Sequence, residues 1–538
     1  MRGILILAAL TAALVSAAPA TAQNLAVVSV SPAANGFAPR STAISVEFDR
    51  PLNPATVTPA NFWAFGRWSG MAEGVLVLSN GDKTVTLTPT DPLSASEIVT
   101  VYLSRELRGA DGVALRAGGY SFQFNVSTAP AAKDWRLIQT LTTRTTPSVG
   151  TRAYGGVASD LDGDGWLDMT IVHEDSADLR VFMSRDDGTG TYHPFLQPTF
   201  AVNDRASPNE TGDFDRDGDP DIVVANINTH TLSILLGNGD GTYGPQQQIP
   251  VGQTPRGVAV LDVDGDGDQD IVNTNYAGNN LSILLNNGQG VFGAPTSFEG
   301  GGSGEWPIVA ADMTGDGLLD LVVGLRNIQR IVVARNNGNG TFTPLTSQPV
   351  GGGTWVIAAG DLDGDGDADV VSANATNNNG GVILGDGLGG LAPAVTYPAD
   401  PFALSTRLGD FDGDGDLDWN LSSFNGDWRL YENNGSGVFT FDIEIPSPTA
   451  ASCAVVLDFD NDGDADLALI DEIEDLVLLY ENTCFADCNA SGALTVADFG
   501  CFQGKYVLGD LYADCNASGT LTVADFGCFQ GAYVLGCP

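Results

Sequence analysis

An aspartate-rich nonapeptide, DxDxDGxxD or a close relative, recurs seven times in this 538-residue chain, and its spacing leaves few architectures open. The first aspartates are Asp160, Asp213, Asp262, Asp312, Asp361, Asp410 and Asp458, separated by 53, 49, 50, 49, 49 and 48 residues. A period of that length is one supersecondary unit repeated, because a unit that cannot bury its own apolar face must stack on copies of itself. Each unit reads alike: an apolar strand such as RGVAVLDVD, the Asp loop, strands such as DIVNTN and LSILLNN, a GQG turn, and a last strand such as VFGAPTSF. The turns GNGDG, NNGQG, NNGNG and NNGSG place Gly and Asn where a tight hairpin needs positive φ.

Four antiparallel strands per unit fit blades around a common axis, which hides most strand edges; a linear stack is the alternative. The seventh unit stops at its third strand, LVLLYENT, and runs into a cysteine-rich tail, while an unassigned strand, DWRLIQTLTT at 134–143, precedes the first unit. That strand is expected to complete the last blade and latch the ring. Over residues 134–483 the units resemble the FG-GAP/VCBS repeats of integrin α-chain propellers and of secreted bacterial proteins. The resemblance implies a mainly β fold, a seven-bladed β-propeller with a metal-binding loop in every blade.

In the third loop, DVDGDGDQD, the side chains of Asp262, Asp264 and Asp266 alternate, Asp268 offers its carbonyl, and Asp270 closes the site. Oxygen ligands at positions 1, 3, 5, 7 and 9 suit a hard cation of calcium's size, and Gly265 and Gly267 allow the curvature. The corresponding sets are Asp160, Asp162, Asp164 and Asp168; Asp213, Asp215, Asp217 and Asp221; Asp361, Asp363, Asp365 and Asp369; Asp410, Asp412, Asp414 and Asp418; and Asp458, Asp460, Asp462 and Asp466. The fourth set, Asp312, Thr314, Asp316 and Asp320, lacks one carboxylate and is expected to bind most weakly. Without a cation, two carboxylates 4 Å apart repel by about 4 kcal/mol at an effective dielectric near 20. Acidic turns without metal are therefore the less favourable reading.

Residues 1–22 read as a secretory signal: Arg2, an apolar run from Ile4 to Val15, then Ala20-Thr21-Ala22 for cleavage. The run is shorter than the roughly 20 residues a bilayer crossing needs, and no later segment is long enough. From Leu25 to Thr128, short alternating runs such as AISVEF, TVTLTP and IVTVYL give a β-sandwich pattern. Their order, with SPAANG first and YSFQFNV last, resembles an SbsA-type bacterial Ig-like domain, which implies a spacer or stalk. Residues 129–133 read as a short linker.

The tail, 484–538, carries ADCNASGALTVADFGCFQGKYVLG and ADCNASGTLTVADFGCFQGAYVLG, 27 residues apart. Each copy resembles a dockerin repeat, an EF-hand-like loop followed by a short apolar segment read as helical. The resemblance implies ligands Asp487, Asn489, Ser491, the Ala493 carbonyl, Thr495 and Asp498, then Asp514, Asn516, Ser518, the Thr520 carbonyl, Thr522 and Asp525. Ser at the fifth loop position leaves two carboxylates per loop and implies weaker calcium binding. Val496-Ala497 and Val523-Ala524 stand where dockerins carry a small hydroxyl pair, so a cohesin-like partner is less expected than some other surface-anchoring one.

Six cysteines lie in the tail, and export would oxidise them. Six allow fifteen pairings. The duplication favours Cys488–Cys501 and Cys515–Cys528, with Cys484–Cys537 clasping the ends; exchange between repeats competes. Cys453 stands alone in an apolar stretch and reads as a buried thiol.

The formal charge of −44, from 67 acidic against 23 basic residues, excludes nucleic acid as a partner and favours cations. The three histidines, His173, His193 and His230, carry no recognisable catalytic or zinc pattern. The chain therefore reads as a secreted or cell-surface, calcium-binding, non-catalytic modular protein that binds an extracellular protein or polysaccharide. The alternative is a carbohydrate-active protein, a lyase, hydrolase or lectin attached through its tail. Trp306, Trp355, Trp419 and Trp428 would stack on sugars in the lectin case and pack inside blades otherwise.

Overall fold

The segment FWAFG, Phe62–Gly66, has no polar alternation, and a strand with apolar side chains on both sides must be covered twice. In the computed structural model it is. Phe62 and Ala64 face the core of a two-sheet sandwich with Ile44, Val46, Phe48, Val99, Val101 and Phe122. Trp63 and Phe65 face the other way and pack with Tyr102 against the rest of the chain. The structure describes residues 24–483 continuously and, in the tail, residues 488, 495–508, 513 and 521–535. The signal read at 1–22 lies outside the described residues.

One sheet of the sandwich runs Val27–Ser31, Ile44–Phe48, Thr84–Pro89, Gly74–Ser79; the other runs Phe37–Ala38, Tyr120–Val126, Ile98–Leu103, Phe62–Gly66, Gly70–Met71. Seven further four-stranded antiparallel arrangements follow. Their inner strands are Ala153–Ser159, Ala206–Gly212, Pro255–Leu261, Glu305–Ala311, Thr354–Gly360, Ala403–Gly409 and Ala451–Leu457. The fourth blade carries an additional short strand, Gln348–Pro349. Each inner strand packs on the next, and the seventh packs on the first, so the ring is closed. Ser452 Oγ donates to the Tyr154 carbonyl at 2.9 Å across that junction.

The seventh sheet is ordered Asp134–Thr142, Leu476–Thr483, Asp466–Asp471, Ala451–Leu457. Its outermost strand comes from the start of the ring, pairing Asp134 with Thr483 and Thr142 with Leu476 through one bulge. This is the latch expected from the missing fourth strand.

The sandwich does not project as a stalk; it lies across the face of the ring that carries the Asp loops. Trp63 Nε1 donates to the Gly267 carbonyl (2.9 Å), Ser121 N to Gly317 (2.9 Å), and Asn35 Nδ2 to Gly366 (3.0 Å). Backbone meets backbone so closely at Gly118 that a Cβ there would lie 2.5 Å from Gly338 Cα. The 129–133 connection is fastened along the same face, with Ala129 N to Gly463 O (2.6 Å) and Ala131 N to Asp412 O (3.1 Å).

In the tail, helices Val496–Leu508 and Val523–Leu535 pack through Phe502 and Phe529, stacked at 4.1 Å between centroids. Both helices begin before the apolar segments read as helical, because Thr495 and Thr522 cap them. Cys488–Cys501 is a disulfide, as the duplication favoured, and Cys528 is also disulfide-bonded. Cys484, Cys515 and Cys537 lie outside the described residues.

Candidate metal centres

Each Asp loop follows an inner strand and is wound by its own carboxylates. In the third blade Asp262 Oδ1 accepts from Gly265 N (2.7 Å) and Oδ2 from Gly267 N (2.9 Å). Both glycines have positive φ, +81° and +94°, so the main chain can curl around the first aspartate. Asp264 and Asp266 accept from the amides two residues on, at 3.2 and 3.0 Å.

The ninth-position aspartate does a second job that the sequence did not announce. Asp270 accepts from Val263 N (2.8 Å) through one oxygen and from Asn286 N (2.7 Å) through the other, tying loop to third strand. Asp168, Asp221, Asp320, Asp369, Asp418 and Asp466 repeat this clamp in the other six blades. The NNG turns also differ from expectation. Gly288 and Gly290 take the positive φ, while Asn286 turns its Nδ2 to the Phe214 carbonyl of the preceding blade (2.7 Å). Asn433 and Asn482 do the same, at 2.9 and 2.7 Å.

Carboxylate oxygens of Asp160, Asp162 and Asp164, of Asp213, Asp215 and Asp221, of Asp262, Asp264 and Asp270, and of Asp361, Asp363 and Asp365 converge within 4.8 Å of one another. Burial, reinforced by neighbouring aspartates, raises several of these acids: Asp213 to about 7, Asp221 and Asp262 to about 8, and Asp270 well above the ordinary carboxylate range. The seventh loop is the most extreme, with Asp458 near 7, Asp460 near 8 and Asp466 well above the ordinary value. Such a set could hold a metal ion. The donors are all oxygen, the charge is excess negative, and the group that fits is a hard ion. The fourth loop keeps the Gly317 N contact to Asp312 Oδ2 (2.7 Å), matching Gly267 on Asp262, but offers one charge fewer.

The sandwich and the connection that follows it supply cations to this face. Arg40 Nη1 lies 3.3 Å from Asp458, Arg105 Nη1 3.6 Å from Asp264, and Lys133 Nζ 2.9 Å from Asp412. Sequence reasoning missed these partners because they are remote in the chain. It also missed a cluster of Asp400, Asp427 and Glu444. That cluster already holds Arg429, 2.7 Å from Asp400 and 2.9 Å from Glu444.

Other candidates fall as follows. Asp487, Asn489, Ser491, Asp514, Asn516 and Ser518, with the Ala493 and Thr520 carbonyls, lie outside the described residues. Asp498 Oδ2 accepts from Thr495 N (2.6 Å), and Asp525 Oδ2 from Thr522 N (2.5 Å), the capping-box arrangement at each helix start. Trp419 and Trp428 are fully buried blade core, whereas Trp306 and Trp355 pack together (4.4 Å) at the end of the ring axis away from the loops. His173 is buried and its pKa falls to about 4, chiefly through desolvation and also through Arg180; His230 Nδ1 accepts from Thr254 N (3.0 Å) in a turn. Cys453 is a buried free thiol lining the axis.

Fold and loops together define a repeat propeller with acidic loops that could hold a metal ion, carrying a β-sandwich. Matches to the FG-GAP-like repeat run over 160–224, 213–273, 262–323, 322–372, 361–421 and 410–469, more than half of the chain, and the chain belongs to that family. Residues 21–126 match the bacterial Ig-like domain. No curated protein matches. Similar solved structures include BBS1N in complex with ARL6DN (13% identity, 65% of this chain and 97% of that one, TM-score 0.47). An Agrocybe aegerita lectin described as recognising non-reducing terminal N-acetylglucosamine gives 19%, 74%, 92% and 0.40. Virginiamycin B lyase from Staphylococcus aureus, with quinupristin, gives 13%, 64%, 99% and 0.43.

Proposed function

We propose that this chain is a secreted, calcium-stabilised binding module with no catalytic role, held to an extracellular or cell-surface partner through its tail. The observation that carries the reading is the convergence of aspartate oxygens within 4.8 Å of one another in repeated loops, buried in the second and third blades and more open in the first and fifth. Asp160, Asp213, Asp262, Asp312, Asp361, Asp410 and Asp458 would begin the calcium ligand sets. A site filled at 100 times its dissociation constant adds about 2.7 kcal/mol to the folded state. Several such sites would govern whether the ring stays folded.

Export is supported by the Cys488–Cys501 disulfide and by the signal-like first 22 residues; among the described residues no helix is long and apolar enough to cross a membrane. A dockerin-like role for the tail is supported by its duplicated loops and paired helices. Val496 and Val523 occupy equivalent places in the two repeats, and each is 83% exposed, which suits an attachment surface. Elemental analysis of protein purified from culture medium tests the metal reading. Several calcium ions per chain support it, and a chain free of divalent metal after purification in calcium would refute it.

The carbohydrate-binding alternative keeps only one of its supports. Trp355 lines the axial cavity and is half-buried, while Trp306, Trp419 and Trp428 are buried.

A further inference from the structure

The seven inner strands leave a cavity of about 180 Å³ on the ring axis. The Ig-like domain closes its loop-side end, where Ile98 sits beside the Arg67–Glu210 pair (3.0 and 2.7 Å). The walls are largely apolar, from Val258, Ile308, Val356, Ala358 and Leu404. An apolar cavity of about 150 Å³ holds benzene, so this one takes a body of that size. Trp355 Nε1 reaches across the far end to Tyr154 Oη at 2.5 Å.

The charge of the lining is opposite to that of the chain. Its charged side chains are Arg67, Glu210, Arg256 and Arg407, and the first two neutralise each other. Arg407 reaches only the Thr406 carbonyl (3.1 Å) and Cys453 Sγ (3.5 Å). Arg256 lies 4.0 Å over Trp306, with its Nε buried and unpartnered. Arg326, stacked on Trp306 (4.5 Å) and Trp355 (4.2 Å), has a buried, unpartnered Nη1 beside it. Guanidinium donors held on aromatic faces, with hydrogen-bonding edges unused, are arranged for an oxyanion. The buried carboxylate of Glu174 acts on Arg256 only through space, with no ion pair between them, and Arg407 has no ion pair either, so their hydrogen-bonding edges remain for another partner.

We propose that this axial well binds a small organic carboxylate, its charge met by Arg256 and Arg407 and its compact apolar body held by the inner strands. This goes beyond the calcium reading, because the well lies among the inner strands and none of the loop aspartates lines it. Few polar groups converging in a mostly apolar concavity is the usual make-up of a small-molecule site.

The test uses the full chain saturated with calcium, its melting temperature checked first so that loss of binding says nothing about the metal loops. Phenylacetate, D-glucuronate, sodium sulfate and benzyl alcohol are titrated by calorimetry, with tryptophan fluorescence reporting on Trp306 and Trp355. Phenylacetate is expected to bind, and R256Q/R407Q to weaken it by about tenfold or more, the worth of one charge-assisted hydrogen bond. A358F, which fills the well, should abolish binding and serves where the double variant does not fold. Equal binding of benzyl alcohol, or phenylacetate binding unchanged in the variants, would overturn the proposal. Glucuronate or sulfate binding better than phenylacetate would overturn the apolar-body part and point to an acidic sugar or a bare anion. No binding by any probe overturns the whole.

Discussion

Arg40 of the Ig-like domain places its Nη1 3.3 Å from Oδ2 of Asp458, the first aspartate of the seventh loop, and its Nη2 3.4 Å from Asn461 Oδ1. A residue near the start of the chain thus partners a buried carboxylate 418 positions later. The sandwich and the loops are one electrostatic system.

The R40A variant follows from that contact. With calcium present Asp458 has another cation, so the loss should be small. In chelator Asp458 is left buried and unpaired, at a cost of about 1–3 kcal/mol. Calorimetric scans of wild type and R40A, each with calcium and with EDTA, read this difference directly. Equal losses in both conditions would show that Arg40 is not a stand-in for metal.

In metal-free protein, stability should fall as pH rises from 4 to 8. The folded acids titrate high, Asp262, Asp418 and Asp460 near 8 and Asp320 and Asp369 near 7, mostly through burial. In the unfolded chain they titrate in the ordinary carboxylate range. Between the two ranges the folded state holds protons that the unfolded state has released, so each added pH unit favours unfolding. With saturating calcium the trend should flatten or reverse, because the ion takes the place of those protons. Urea midpoints across this range, with and without EDTA, check the sign.

Thr314→Asp restores a carboxylate to the fourth loop. It should tighten that site and add an ion at low calcium, while lowering stability in chelator because another like charge is confined there. Calcium titration calorimetry of the variant beside wild type reads both effects.

The latch is tested at Leu141, buried opposite Val477 in the seventh blade. L141A should cost about 2–5 kcal/mol, as for a core leucine. Calcium content at room temperature should be unchanged, since no loop ligand is touched.

The seven loops, the missing strand of the last blade and the strand that replaces it were legible because repetition exposes what one copy conceals. Asp262 and Gly267 could be assigned roles from one loop and carried through the others, whereas the Gly265 position is taken by Arg216 and Asn461, also at positive φ, in the second and seventh. What escaped was mostly the contact between units. The Ig-like domain read as a spacer, although the unbroken apolar run Phe62–Gly66 and the adjacent glycines Gly118 and Gly119 were signs of a strand covered twice and a close backbone approach. Asn286 read as turn chemistry, yet its side chain joins neighbouring blades. Trp355 and Trp419 look alike in sequence, but one lines the axial cavity and the other is blade core.

Differential scanning calorimetry of the full chain in calcium and in EDTA at pH 7.5 is the most direct trial of the claim that divalent ions hold the ring. A sharply lower propeller transition in EDTA, restored by added calcium, is the predicted result. Superimposable transitions in the two buffers would contradict it.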